Sequence, residues 1–172
     1  MKIKTHNQLK IVDFIDAFYQ GPQFDVVFSI RNPGDDGKAI PVFGFDQSIG
    51  EAKGKHKTYR YFFWDIANDN DGCPSLEHLN QMAIDFGEFL ASEHQTCLFH
   101  CTAGVSRSTS AALYLLLLDG YQLDDAVNFL KMVRPIAQPN LKVLRLLDEM
   151  FKFDGKLLNV QWNLGVEGVE VT

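Results

Sequence analysis

The chain lacks the features that mark secreted and membrane-embedded proteins. Three cysteines in 172 residues are too few for a disulfide framework, and this count favours a reducing, cytoplasmic location. No apolar run approaches the roughly 18 residues of a membrane span, since the longest, near 113–118, ends at Asp119. The first residues lead into a mixed stretch with Asp13 and Asp16, so we expect no signal peptide.

The chain also lacks an excess of positive charge. Sixteen Lys and Arg residues stand against 22 Asp and Glu, which gives a net charge of −6. Binders of nucleic acid or anionic membranes are usually basic, so neither partner is expected. A hydrophobic content of 46% excludes a disordered chain. We predict one domain over residues 1–153, with a core at about 24–151, and a tail, 154–172, that forms an edge strand or a frayed end.

The pattern of apolar residues predicts helices that alternate with strands. A first helix is predicted from the spacing of Leu9, Val12, Ile15, Phe18 and Tyr19, capped by Thr5 or Asn7. Strands are predicted at 24–30, 58–64 and 96–100, a surface loop at 35–57, and further helices at 76–90, 109–118, 123–133 and 141–151. This alternation favours an α/β fold with a central, mostly parallel sheet flanked by helices, and ligands bound beyond the carboxyl ends of its strands.

One loop carries a chemical signal. Cys101 stands at the end of a predicted strand, and Arg107 opens the following helix six positions later. The backbone between them can curl into a nest of inward-facing N–H groups, and Gly104 permits the conformation that such a curl needs. The guanidinium can bind the same anion in two places. We assign phosphate binding to Thr102, Ala103, Gly104, Val105, Ser106 and Arg107.

The same environment activates the thiol of Cys101. Helix N-termini and cations lower the pKa of a cysteine from about 8.5 to roughly 3.5–7.5. A drop of three units corresponds to ~4 kcal/mol in favour of the thiolate. The loop therefore combines a nucleophile with a clamp for a tetrahedral oxyanion.

The segment from His100 to Ser108 resembles the His-Cys-x5-Arg-Ser/Thr signature of the cysteine-based protein phosphatases. Its form, Cys-x-Ala-Gly-x-Ser-Arg-Ser, is most similar to the dual-specificity branch and its bacterial relatives. Residues 134–140 are similar to the Arg-Pro-x-x-x-Pro-Asn segment that follows the signature in that branch. The resemblance implies a protein-tyrosine-phosphatase-like fold.

The resemblance also implies a two-step mechanism on phosphorylated proteins or peptides. Cys101 would attack phosphorus to form a phosphocysteine, while Arg107 and the loop amides stabilise the equatorial oxygens. Ser108 would hydrogen-bond the thiolate as it leaves, and His100 would order the loop. The family needs no metal or organic cofactor. Phosphotyrosine is the expected substrate, with phosphoserine and phosphothreonine as further substrates.

The family takes its general acid from an aspartate on the loop after the preceding strand, and three residues are candidates. Asp65 directly follows the predicted strand, whereas Asp69 lies 32 residues before Cys101, a spacing closer to that of compact family members. Asp71 is the third candidate. We favour Asp65.

Three other functions compete with this interpretation. A pseudophosphatase that only binds phosphoproteins would not need both Cys101 and Arg107. Lipid-directed relatives place lysines in the loop, which here is neutral, so a phosphoinositide phosphatase is disfavoured. A rhodanese-type sulfurtransferase would lack the His-Cys and Arg-Ser pairs.

A reversible disulfide between Cys73 and Cys101 is a further hypothesis, because Cys73 lies in the loop expected to cover the site.

Overall fold

The computed structural model describes residues 1–35 and 57–162, and within them four strands form one sheet. The strands are β1 (Leu9–Val12), β2 (Val26–Arg31), β3 (Lys57–Phe62) and β4 (Cys97–His100). The helices are α1 (Phe14–Gln20), α2 (Leu76–Ala91), α3 (Arg107–Leu118), α4 (Leu123–Val133) and α5 (Leu141–Phe151). The predicted α/β fold, a parallel sheet flanked by helices, is confirmed.

The strands are all parallel and lie in the order β1-β4-β2-β3. Cys97 on β4 is in register with Leu9 on one side and Val26 on the other. Because parallel strands end at the same edge, the loops that follow all four strands meet there. This edge is where the predicted phosphate loop lies.

The predicted first helix is wrong over its first half. Residues 9–12 form β1, with Leu9, Ile11 and Val12 buried and Lys10 exposed. Pairing with β4 at the sheet edge provides backbone partners for a segment whose apolar residues also fit helical spacing. The helix begins only at Phe14, and its cap is Asp13, whose side chain accepts from the Asp16 N–H. The sheet and core therefore extend N-terminal to residue 24.

Helix α3 lies at the centre of the domain, as its apolar sequence predicts. Every residue from Arg107 to Leu117 is buried, because α3 packs against the sheet and against α2, α4 and α5. Asp119 follows α3 and receives the backbone N–H groups of Lys2 and Ile3 on its carboxylate. The N-terminal residues are thus bound to the far end of the same helix.

Two predicted regions fall partly outside the described residues. The surface loop at 35–57 lies outside them except at its ends, and so does the tail from residue 163. Residues 157–159 form a 3-10 turn in which Leu157 is fully buried, and Asp148 accepts from the N–H groups of Gly155 and Leu157. None of the helices described at 1–35 and 57–162 has the length and apolarity to cross a bilayer. The boundaries of the domain stay a prediction.

Candidate active site

The carboxyl ends of β2, β3 and β4 bring distant parts of the chain to one place. Asn32 follows β2, Phe63 and Asp65 follow β3, and Cys101 follows β4. The site is therefore built from loops whose positions are set by strand pairing.

The loop at 101–107 turns its carbonyl groups outward. All five carbonyls from Thr102 to Ser106 accept hydrogen bonds from outside the loop. The donors are the Phe14 N–H (to Thr102), Arg134 Nη2 and Nε (to Ala103 and Gly104), the Gln138 N–H (to Val105) and the Thr109 and Ser110 hydroxyls (to Ser106). With the carbonyls facing outward, amide N–H groups are left to face the interior of the loop.

Gly104 adopts a conformation that this curl requires. Its φ is +66°, and a Cβ atom built there would lie 2.4 Å from the carbonyl oxygen of Val12. Both the left-handed backbone and the close approach of β1 therefore demand glycine. The prediction that Gly104 permits the curl agrees with this geometry.

The thiol of Cys101 is buried at the bottom of the loop. Its Sγ lies 3.2 Å from Ser108 Oγ. Burial alone would raise the pKa of Cys101, but the Ser108 hydroxyl and N–H, the charge of Arg107 and the Val105 N–H outweigh it and lower the pKa. These groups favour the thiolate, the reactive form of cysteine.

Arg107 is 4% exposed, and most of its guanidinium is already engaged. Nη1 donates to Asn32 Oδ1 at 2.8 Å and to the Phe63 carbonyl at 3.0 Å, and Nη2 donates to Thr102 Oγ1 at 2.9 Å. Nε is buried without a hydrogen-bond partner and lies 4.0 Å from Asp65 Oδ2. A buried cationic N–H without an acceptor indicates a seat for an anion at this position.

Of the three candidate aspartates, only Asp65 lies against the loop. Its Oδ1 accepts from Ser106 Oγ at 2.6 Å and from Asn140 Nδ2 at 2.8 Å. Asp69 instead pairs with Lys142 on α5, and this pairing lowers the pKa of Asp69. Asp71 is exposed to solvent. The geometry favours Asp65 as the group that faces a bound ester.

His100 lies beneath the loop and is 6% exposed. Burial, followed by the charge of Arg31, lowers its pKa to about 4, so its ring is neutral near neutral pH. Its Nδ1 is buried without a hydrogen-bond partner, and its ring packs against Phe14 at 5.7 Å. The loop-ordering role that the resemblance implies for this neutral, buried ring stays a prediction.

Three side chains at this site were not assigned functional roles from the sequence. Arg134 donates to two loop carbonyls, Asn140 donates to Asp65, and Asn32 anchors Arg107. Arg134 and Asn140 belong to the 134–140 segment, whose similarity to the family pattern could have identified them. Asn32 is marked only by its place after a strand.

All three cysteines are free thiols. Cys97 is fully buried in β4, which matches its interpretation as a small apolar residue. Cys73 is half-buried in the loop that also carries Asp65. The disulfide between Cys73 and Cys101 stays a hypothesis.

Comparison with known proteins gives a family match for most of the chain. The model described as "Dual specificity phosphatase, catalytic domain" matches residues 43–153. Protein phosphatase Slingshot homolog 1 of Mus musculus is 37% identical over 82 residues, which are 47% of this chain and 8% of that protein. Dual specificity protein phosphatase 5 of Rattus norvegicus is 30% identical over 105 residues, 60% of this chain and 24% of that protein. The chain thus spans less than a quarter of these relatives.

The fold also matches a solved structure. The crystal structure of human DUSP28 aligns with a TM-score of 0.61 at 18% identity, covering 86% of this chain and 96% of that one. At this identity the likeness concerns the fold alone. The match over residues 43–153 includes Asp65 and the entire loop that holds Cys101 and Arg107. The chain therefore belongs to the family of dual specificity phosphatase catalytic domains.

Proposed function

We propose that the chain hydrolyses phosphate monoesters through a phosphocysteine intermediate, with phosphotyrosine in proteins as its main substrate and phosphoserine and phosphothreonine as further ones. The observation that carries this proposal is the Nε of Arg107, which has no hydrogen-bond partner and is buried in the same loop as the thiolate-favouring Cys101. One cradle therefore holds an oxyanion clamp and a nucleophile.

In the first step, the lone pair of the Cys101 thiolate forms a bond to phosphorus as the bond to the leaving oxygen breaks. The leaving oxygen takes a proton from Asp65, which Ser106 and Asn140 hold beside the loop. Arg107 Nε and the inward-facing amides stabilise the equatorial oxygens, whose charge the buried site does not screen. The products are the free hydroxyl group, a phenol in the case of phosphotyrosine, and a phosphocysteine.

In the second step, water replaces the sulfur. The carboxylate of Asp65 takes a proton from the water as its oxygen attacks phosphorus, and the electrons of the S–P bond return to Cys101. Ser108 Oγ, at 3.2 Å from the sulfur, donates to the thiolate that forms. Inorganic phosphate leaves, and Asp65 is again protonated for the next cycle.

A substrate panel tests the proposal. Wild type, Cys101→Ser and Cys73→Ser would be compared on a phosphotyrosine peptide, a phosphothreonine peptide and phosphoinositide vesicles. Wild type and Cys73→Ser are expected to hydrolyse the phosphotyrosine peptide fastest, and Cys101→Ser is expected to lose turnover, since it lacks the thiolate. Under reducing conditions, which exclude a disulfide with Cys101, the Cys73 variant controls for the loss of a thiol other than the nucleophile.

The panel also separates the competing functions. Phosphopeptide binding by wild type without turnover would replace the enzyme with a binding module. If phosphoinositide is turned over fastest, the substrate is a lipid and not a protein. If Cys101→Ser keeps its turnover, Cys101 is not the nucleophile. We place the activity in the cytoplasm, on the ground that all three cysteines are free.

A further inference from the structure

Side chains at the N-terminal end of helix α5 form hydrogen bonds with the loop that carries Asp65. Asn140 Nδ2 donates to Asp65 Oδ1 at 2.8 Å and to the Ile66 carbonyl at 3.1 Å. Arg145 donates to the Ala67 carbonyl at 3.3 Å, and Lys142 pairs with Asp69. The first two turns of α5 therefore contact the loop at four of the five positions from 65 to 69.

Burial decides which of these contacts matters most. Asn140 is 5% exposed, whereas the Asp69 side chain is 83% exposed. Exposed ion pairs contribute little, because solvent screens them and holding two long side chains costs entropy. A buried amide with a carboxylate partner is held far more firmly. Asn140 is thus the main contact between α5 and the loop.

Asn140 is also connected to the phosphate loop through Ser110. Its backbone N–H donates to Ser110 Oγ at 2.7 Å, and that hydroxyl donates to the Ser106 carbonyl at 2.9 Å. Its Oδ1 accepts from the N–H groups of Lys142 and Val143 and so caps α5. With both ends of its amide engaged, the side chain has one orientation, and its Nδ2 points at Asp65.

We propose that Asn140 is the positioning residue that holds the general acid Asp65 over the phosphate loop. The proposal rests on the proposed phosphatase activity and assigns Asn140 no contact with substrate. Its effect should depend on how much the leaving group needs a proton. A merely structural residue would affect all substrates alike.

The test uses Asn140→Ser, which keeps an N-cap residue of similar strength but removes the amide donor. Two substrates are compared: phenyl phosphate, whose leaving phenoxide is strongly basic, and 2,4-dinitrophenyl phosphate, whose leaving phenoxide is weakly basic. The constant to compare is kcat/KM, because it reports the first step alone, whereas kcat also includes the second step, in which Asp65 acts on both esters alike. General acid catalysis contributes typically 10²–10⁴-fold, so losing the orientation of the acid should lower kcat/KM on phenyl phosphate by at least about tenfold. On the dinitrophenyl ester, kcat/KM should change less than about threefold.

Two further variants complete the design. Asn128→Ser, at an exposed position on α4, is the matched control and should leave both rates unchanged. In an Asp65→Asn background, Asn140→Ser should cause no further loss on phenyl phosphate, because the group that it positions is already inactive. Thermal unfolding of each variant checks that the helix cap is preserved, and all melting temperatures are expected to be close to that of wild type.

The outcomes separate the inference from the function beneath it. If wild type turns over both esters and Asn140→Ser lowers kcat/KM equally on both, or on neither, the positioning role is overturned and the phosphatase stands. An additive loss in the Asp65→Asn background also overturns it. If wild type turns over neither ester, the proposed function itself fails.

Discussion

Arg107 donates from Nη1 to the side chain of Asn32, which lies 75 residues earlier in the chain, at 2.8 Å. This bond joins the end of β2 to the start of α3. It turns the guanidinium so that Nε, the nitrogen without a hydrogen-bond partner, is left for an anion. An amide from outside the loop therefore orients the guanidinium that we propose as the oxyanion clamp.

Replacing Asn32 should weaken the binding of phosphate. Hydrogen bonds to charged groups contribute about 1.5–3 kcal/mol, so Asn32→Ala should raise the inhibition constant of inorganic phosphate by about tenfold or more. Competitive inhibition by phosphate at constant ionic strength measures this constant. Asn128→Ala, at an exposed site on α4, is the control. An unchanged inhibition constant in Asn32→Ala would show that Arg107 keeps its orientation without the amide.

Replacing Asp65 and Asp69 one at a time should show which of the two is the general acid. Asp65→Asn removes the group that faces the loop, so kcat on phenyl phosphate should fall by about 10²-fold and the decline of activity at basic pH should disappear. Asp69→Asn breaks only an exposed pair with Lys142, and its rate should stay within about threefold of wild type. Full pH–rate profiles of both variants provide the measurement. If the decline at basic pH disappears in Asp69→Asn and persists in Asp65→Asn, the general acid is Asp69 and our assignment is wrong.

Removing the Ser108 hydroxyl should slow the second step more than the first. Ser108→Ala deletes the 3.2 Å contact with the Cys101 sulfur, so the thiolate becomes a poorer leaving group and the pKa of Cys101 rises. Phosphocysteine should then accumulate, and kcat should fall more than kcat/KM. Rapid acid quench with a labelled substrate measures the trapped phosphate. Equal losses in kcat and kcat/KM, without a trapped intermediate, would contradict this role.

A methyl group at Gly104 should disrupt the loop. Gly104→Ala combines an unfavourable left-handed backbone, costing about 1–2 kcal/mol, with a contact of 2.4 Å to the Val12 carbonyl. Overpacking typically adds about 1–3 kcal/mol, so we expect a loss of about 2–5 kcal/mol in the free energy of unfolding. Gly87→Ala in α2, where a Cβ meets nothing within 4 Å, should instead stabilise by about 0.5–1 kcal/mol. Urea unfolding of both variants is the measurement, and equal stabilities would contradict the packing argument.

His100 should make the fold sensitive to mild acid. Its pKa is about 4 in the folded protein, below the value of about 6.5 of an unfolded histidine, so protons bind the unfolded chain more readily. This contribution is present above pH ~6.5 and is lost as pH falls toward about 4; between pH ~7 and pH ~5 it amounts to about 2 kcal/mol. Urea unfolding at the two pH values measures the loss, and His100→Asn should reduce it. The same loss in the variant would assign it to other groups.

Local patterns carried much of the fold and the centre of the site. The helix starts at Ser75 and Asn140 were predicted because a capping side chain acts within three residues of itself. The phosphate loop was predicted because its nucleophile and its cation lie in one continuous run, from Cys101 to Arg107. Where the chemistry is contiguous, the order of residues is enough.

Contacts between distant segments depend on the tertiary structure and do not follow from local sequence patterns. Residues 9–12 have helical spacing but form a strand, since the exposed edge of β4 offers them backbone partners. Asp65 and Asp69 are equally acidic in the sequence, and only the packing of α5 brings Asn140 to one and Lys142 to the other.

The sequence by itself determined the loop on which the proposed chemistry depends, a cysteine and an arginine at its two ends, because nine consecutive residues, 100–108, carry the whole pattern. Only the tertiary structure decided which side chains complete it. Asn32, Arg134 and Asn140 reach the site across separations of 75, 30 and 75 residues. No local rule predicts such contacts, because they form only when the parallel strands end together and α5 packs beside them.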